Sequence, residues 1–378
     1  MNSLKENYTL VDTPEAFEAL LETLSLYDMA ALDTEADSMY HYQVRLCLIQ
    51  ITVGESHFLV DPFADLDFSR LFAAKAMQTL ILHGADYDLR MLWLTYRFTP
   101  KSVFDTMIAA KFLNEEKVGL AGLVEKYFGE TLEKENQKAD WTIRPLPPAM
   151  CEYAAHDTFF LHELCAILGE KLQKLGRFYW VTETCEAVIE TAKQPPKLKE
   201  DPWRITGSSY FSPKELQILK SIWNWRETEA SLVDKQPYKV LSPGLMLAVV
   251  RMIGREKGAI RWEKLPKVPR HLTEAQLEKL KIQVESALAE PESAYPEPFR
   301  VPKQHVGNPD PHLIEAIRFG RDLKSLELNL DSSMIANKNQ LTALAMPGKT
   351  WEERFEAAGL LNWQKKVWKD ILAQHQLL

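Results

Sequence analysis

Residues 29–61 leave the chain little freedom. Met29-Ala30-Ala31-Leu32 runs apolar into Asp33-Thr34-Glu35, and the stretches Arg45-Leu46-Cys47-Leu48-Ile49-Gln50-Ile51 and Phe58-Leu59-Val60-Asp61-Pro62 follow, joined by Gly54-Glu55-Ser56-His57. The spacing predicts three consecutive strands, and residues 44–53 are apolar on both faces, as in a sheet covered from both sides. Asp33 and Glu35 stand at i and i+2, so they share one face of a strand beside an apolar core. Alone, that pair describes a solvated strand end.

The surrounding pattern is α/β. After a polar N-terminal arm, Thr13-Pro14-Glu15 with Phe17, Leu20, Leu21 and Leu24 predicts a capped amphipathic helix. Beyond the strands, Phe68, Leu71, Phe72 and Ala76 suit a crossover helix, and Leu80-Ile81-Leu82-His83 a short buried strand. Asp86 through Phe98 reads as a helix, capped by Asp86, and Val103–Thr106 as a strand followed by a helix to Phe112. Residues 118–128 are helical, and Pro147-Pro148 opens one long helix to about Leu172, with Tyr153 and Asp157 on its inner face. Antiparallel strands first and alternating β and α units afterwards predict a mixed sheet flanked by helices over residues 1–192. In the polar loop 129–146, Trp141 and Arg144 either anchor the loop or meet a ligand; the sequence supports both.

Two proline-rich joints, Lys193–Lys197 and Pro291–Pro311 with six prolines in twenty-one residues, divide the rest. Residues 203–290 and 312–378 are helical almost throughout, with 291–311 as linker. A shift of 95 residues aligns Val240-Leu241-Ser242 with Ile335-Ala336-Asn337 and Ala248 with Ala343, a weak internal repeat. The formal charge of −8 is unevenly spread: residues 1–200 hold 19 Lys and Arg against 31 Asp and Glu, whereas 203–281 hold 15 against 8. An acidic module is tethered to a basic one. The four cysteines, Cys47, Cys151, Cys165 and Cys185, are far apart and form no CxxC, as expected of reduced thiols. No window approaches eighteen apolar residues, and Met1-Asn2-Ser3-Leu4-Lys5 lacks the pattern of a signal peptide, so a cytoplasmic protein is expected.

Four carboxylates then fall at the ends of elements that an α/β sheet gathers: Asp33 and Glu35, Asp88 at a helix start, and Asp157 on the long helix. Carboxylates at about 4 Å repel by on the order of 4 kcal/mol per pair at an effective dielectric of 20. Either the four stay apart, or divalent cations sit among them. Oxygen-only ligands favour Mg²⁺ or Mn²⁺ over zinc.

At these residues the chain resembles the DEDD superfamily of 3′-to-5′ exonucleases, and within it the ribonuclease D family. The likeness runs through Asp33-Thr34-Glu35 with residues 45–51, through His83-Gly84-Ala85-Asp86-Tyr87-Asp88-Leu89, and through Tyr153-Ala154-Ala155-His156-Asp157. It implies a ribonuclease H-like fold with two divalent cations. Asp33 would bridge both, Glu35 and Asp157 would complete the first site, Asp88 would serve the second, and Tyr153 would orient the attacking water. Superfamily members that use histidine place it five residues before the last aspartate, where this chain has Glu152, so the tyrosine (DEDDy) subclass is indicated. His83 is expected to be structural, and Gln50 is left open.

The segments Trp225–Ala230 and Pro237–Ser242 resemble the HRDC module shared by helicases and ribonuclease D, with a second, divergent copy over 312–378. Lys235, Tyr238, Lys239, Arg255 and Arg261, with Arg251, Lys257 and Trp262 nearby, could hold a phosphate backbone. The resemblance implies an exoribonuclease that trims RNA 3′ ends, those of tRNA precursors among them, and releases 5′-monophosphates, acting as a monomer without a protein partner. The alternatives are a DNA 3′-to-5′ exonuclease and a non-catalytic RNA-binding protein.

Overall fold

A computed structural model describes residues 8–37, 40–132, 136–195, 200–256, 258, 260–264, 269, 271–298 and 308–375. Thr9–Val11 (β1) precedes Pro14–Ser25 (α1), which begins at Thr13, whose side chain accepts a hydrogen bond from the Ala16 N–H at 3.3 Å. The apolar run forms Ala30–Asp37 (β2), Arg45–Val53 (β3) and Ser56–Val60 (β4). Gly54, at φ +56°, turns β3 into β4, and a side chain there would collide with Tyr27. Phe68–Ala73 (α2), Thr79–Leu82 (β5), Asp86–Tyr96 (α3), Ser102–Asp105 (β6), Thr106–Phe112 (α4) and Leu120–Phe128 (α5) follow.

The strand order is β1-β4-β3-β2-β5-β6. β3 and β4 run antiparallel, whereas β1–β4, β2–β5 and β5–β6 are parallel, so the sheet is mixed. The N-terminal arm, read from sequence only as polar, supplies β1, because Thr9, Leu10 and Val11 register against Phe58, Leu59 and Val60. The long helix expected from 147 to 172 is two, Pro148–Phe159 (α6) and Leu161–Lys174 (α7). Phe160 separates them, with its ring 4.9 Å from those of Phe128 and Phe159, so tertiary packing outweighs local propensity. Phe178–Ala192 (α8) was not expected, although Trp180, Val181, Cys185, Ile189 and Ala192 form its buried stripe.

The chain forms two units: Met1–Ala36, Leu46–Pro195 and Gln304–Leu378 make the first, Asp37–Arg45 and Pro196–Lys303 the second. In the second, Pro213–Leu232 (α9), Pro237–Val240 (α10), Pro243–Gly254 (α11) and Glu274–Leu288 (α12) close over Leu219, Ile222, Trp225, Val250 and Val284. Residues 40–45 join this bundle. Tyr42 N–H donates to Asp234 at 3.1 Å, Gln236 donates to the His41 carbonyl at 2.6 Å, and the Lys239 ammonium lies 4.4 Å from the Tyr40 ring.

Pro311–Leu328 (α13), Ser332–Ile335 (α14), Lys338–Leu344 (α15), Trp351–Ala357 (α16) and Asn362–Gln374 (α17) return to the first unit. There Trp363 stacks on Trp180 at 4.9 Å and meets Phe112 edge-on at 5.1 Å, and Glu183 accepts the N–H groups of Asn362 and Trp363 at 2.6 and 2.9 Å. Trp363→Ala is expected to cost the first unit about 3–5 kcal/mol in urea unfolding, and a loss below about 1 kcal/mol would refute this packing.

The 95-residue shift recurs in backbone detail. Asp234 and Asn329 are both left-handed, at φ 46° and 45°; α10 and α14 coincide; and Ser242 and Asn337 both cap the next helix, accepting from Leu245 and Gln340 N–H. Among the described residues no helix is long and apolar enough to cross a membrane.

Candidate active site

The acidic residues arrive from three elements. β2 carries Asp33 and Glu35; the first turn of α3 carries Asp88; α6 carries Tyr153 and Asp157 one turn apart. The placement of α3 depends on Asp105, which is 2% exposed. Its carboxylate accepts the N–H groups of Gly84 and Ala85 at 3.0 and 2.8 Å, and those of Met107 and Ile108 at 2.8 and 3.2 Å. One buried aspartate thus caps α4 and fixes the turn into α3. Asp86 does not cap α3: it is the first helical residue and pairs with Arg90 at 3.2 Å.

Asp33, Glu35 and Asp157 each bring a carboxylate oxygen to within 4.8 Å of the others. Asp88 lines the same cleft of about 620 Å³, but it is tied to β2, accepting from Thr34 N–H at 3.1 Å and Thr34 Oγ1 at 2.6 Å. Tyr153, His83, Gln137 and residues 119–122 line it too. Lys117, the lining lysine, is paired with Glu125 at 2.7 Å.

The carboxyls respond to this crowding. Burial, then the charges of Asp88, Asp157 and Glu35, hold Asp33 well above the usual carboxylate range. Burial followed by Asp157 and Asp88 pushes Glu35 up to about 9. Asp88 rises to about 7 through burial, opposed by the Thr34 hydrogen bonds, and Asp157 to about 7 through burial and Asp88. The Tyr153 phenol is likewise raised, by burial and then the three acids around it, so it remains a protonated donor near neutrality. Burial lowers His83 to about 4, and its Nδ1 lies 2.9 Å from Thr106 Oγ1, which leaves a neutral imidazole in the cleft lining. Hard oxygen donors, packed closely enough to raise one another's pKa, are a donor set that fits divalent cations such as Mg²⁺ or Mn²⁺.

Thr34 was not singled out by sequence, being hidden between the two acids on the strand. Its hydrogen bond to a buried carboxyl is the charge-assisted kind. Thr34→Val keeps the shape and is expected to cost about 1.5–3 kcal/mol of stability at pH 8, measured by thermal unfolding, with a parallel loss of any metal-dependent activity.

A family model described as 3′-5′ exonuclease matches residues 8–173. Those residues contain the six-stranded sheet and every residue of the acidic cluster. Residues 8–173 form a 3′-5′ exonuclease domain. Among its relatives, the exosome complex component 10 homolog of Caenorhabditis elegans is 33% identical over 265 residues, covering 67% of this chain and 30% of the relative. Ribonuclease D of Escherichia coli K12 is 32% identical over 228 residues, covering 59% of this chain and 60% of that protein. The chain therefore spans less than two thirds of either. The crystal structure of E. coli RNase D, described as an exoribonuclease involved in structured RNA processing, superposes with a TM-score of 0.67 at 26% identity, covering 97% of this chain and 99% of that one. The exonuclease-type fold, a mixed sheet flanked by helices, is common to both.

The five basic and aromatic residues singled out by sequence lie in the second unit and are exposed. Lys239 rests over Tyr40, and Arg261 forms a two-pronged pair with Glu256 at 3.0 and 2.9 Å. Lys235, Tyr238 and Arg255 complete the set; Lys257 lies outside the described residues, as do residues 299–307 of the 291–311 linker and 196–197 of the 193–197 joint. In the exonuclease domain, Trp141 and Arg144 anchor their loop: Trp141 is 2% exposed and Arg144 grips Asp61 at 2.6 Å.

Proposed function

We propose that this protein is a metal-dependent 3′-to-5′ exoribonuclease that hydrolyses the terminal phosphodiester of RNA and releases nucleoside 5′-monophosphates. The observation that carries the proposal is the meeting of Asp33, Glu35 and Asp157 oxygens within 4.8 Å, in a cleft shared with Asp88 and Tyr153. In this reading Asp33 would serve both divalent cations, Glu35 and Asp157 would help hold one, and Asp88 would help hold the other. When bound, such ions supply a hydroxide nucleophile at neutral pH and neutralise charge on the leaving 3′ oxygen. Tyr153, whose phenol keeps its proton, donates a hydrogen bond that orients the attacking water. Thr34 holds the Asp88 carboxyl in place, and the Asp105 turn keeps α3 in register with β2.

We assign residues 1–192 to the exonuclease domain, 203–290 to an HRDC module and 312–378 to a second copy of it. Supporting the pairing are the left-handed residues and helix caps repeated at a 95-residue shift. In the second copy Lys235, Tyr238 and Lys239 are replaced by Leu330, Ser333 and Met334, so only the first retains a cationic face. That face meets the RNA backbone by charge, without reading sequence. The substrate class we propose is the 3′ ends of structured RNA, tRNA precursors foremost, cut in the cytoplasm by a monomer.

The test uses 3′-labelled and 5′-labelled single-stranded RNA with Mg²⁺ or Mn²⁺ and a matched DNA. Stepwise shortening from the 3′ end with 5′-monophosphate products supports the reading. RNA left intact overturns it, and faster cleavage of DNA moves the substrate class.

A further inference from the structure

We propose that Trp141, held by the Arg144–Asp61 pair, is a positioning residue for Tyr153, an inference that rests on Tyr153 belonging to the active site. The Trp141 ring lies 6.1 Å from that of Tyr153 at 40° and is 2% exposed, buried among Leu48, Leu59, Met150 and Ala154. A phenol on a partly exposed helix face has a rotamer choice, and an immobile indole beside it narrows that choice.

What makes the indole immobile is Arg144. Its guanidinium has five N–H donors. Nε and Nη2 donate to the two Asp61 oxygens at 2.6 and 2.8 Å, Nη1 donates to the Trp141 and Ile143 carbonyls at 2.9 and 2.8 Å, and Nη2 also donates to the Cys47 carbonyl at 2.7 Å. Every donor is used, so Arg144 has none left for a phosphate. It ties the carbonyl of Trp141 to strand β3 through Cys47 and to the end of β4 through Asp61. Phe63 covers the guanidinium, its ring centre 4.6 Å away. The Trp141 indole N–H makes no hydrogen bond among the described residues. An indole kept buried with its donor unpaired is retained for its ring, so a phenylalanine should serve in its place.

The test is a double-mutant cycle in the full chain. Trp141→Ala and Arg144→Lys are each expected to lower kcat roughly 10–100-fold with little change in KM, while Trp141→Phe restores most of the rate. In a Tyr153→Phe background the same substitutions should cost less than about threefold further, since there is no phenol left to misplace. Equal losses in both backgrounds would overturn the proposal. A second readout needs no activity: 3-fluorotyrosine placed at position 153 should give a fluorine resonance that shifts and narrows in Arg144→Lys and Trp141→Ala but not in Trp141→Phe. An unmoved resonance also overturns it. An inactive parent enzyme would count against the exoribonuclease reading alone, and the resonance would then decide this one.

Discussion

Asp33→Asn is expected to slow release of 3′ nucleotides by roughly 10³-fold or more, the loss of several kcal/mol of transition-state stabilisation. The amide is nearly isosteric with the carboxylate, so the strand and its pairing with β5 survive. What goes is the acid that feels Asp88, Asp157 and Glu35 together. Removing it relieves repulsion among the rest and lowers their joint affinity for a dication. Single-turnover assays with labelled RNA over a Mn²⁺ titration separate two outcomes. A loss that persists at saturating Mn²⁺ places Asp33 in the chemistry; one recovered at high Mn²⁺ makes it an affinity residue. A variant within about tenfold of the parent at all concentrations would remove Asp33 from the site.

The second large effect is on stability. In the cation-free protein Asp88 and Asp157 hold protons up to about 7 and Glu35 up to about 9, whereas the unfolded chain releases them near pH 4. Between these values the folded state binds more protons than the unfolded state, so unfolding free energy falls as pH rises. Stability is full below about pH 4 with respect to these groups and fully lost above about pH 9. Cation-free protein is therefore expected to melt roughly 5–10 °C lower at pH 8.5 than at pH 5.5. Mn²⁺ or Mg²⁺ at about 100 times its dissociation constant should return about 2.7 kcal/mol at the higher pH. Asp157→Asn should raise the cation-free melting temperature at pH 8.5 by roughly 3–8 °C and blunt the response to metal, an active-site strain relieved at the expense of function. A parent whose melting point is flat across this window and indifferent to dications would contradict the clustering of charge.

Much of this was legible in the residues because the patterns are local. Asp33 and Glu35 announce a shared strand face by spacing alone, and Tyr153 and Asp157 a shared helix face. What escaped depended on distant partners. β1 is three residues long and exists by pairing with residues 58–60. The break at Phe160 has no proline or glycine to mark it, only neighbouring aromatic rings. Arg144 could be read as a phosphate ligand until Asp61, over eighty positions away, was seen to occupy it. The prolines marked where the chain leaves one unit, but nothing local says that residues 304–378 rejoin the unit holding the sheet.

That return has a consequence during synthesis. The apolar faces of Trp180 and Phe112 wait for Trp363, and the whole of residues 196–303 must be made before its helix emerges. At about 5–20 residues per second, the interval from Pro195 to the final helix is on the order of 10–40 s. A nascent chain that has already built its catalytic cleft thus carries an uncovered aromatic seam for that time, which makes late elongation, rather than formation of the sheet, the stage at which this protein is most exposed to aggregation or chaperone capture.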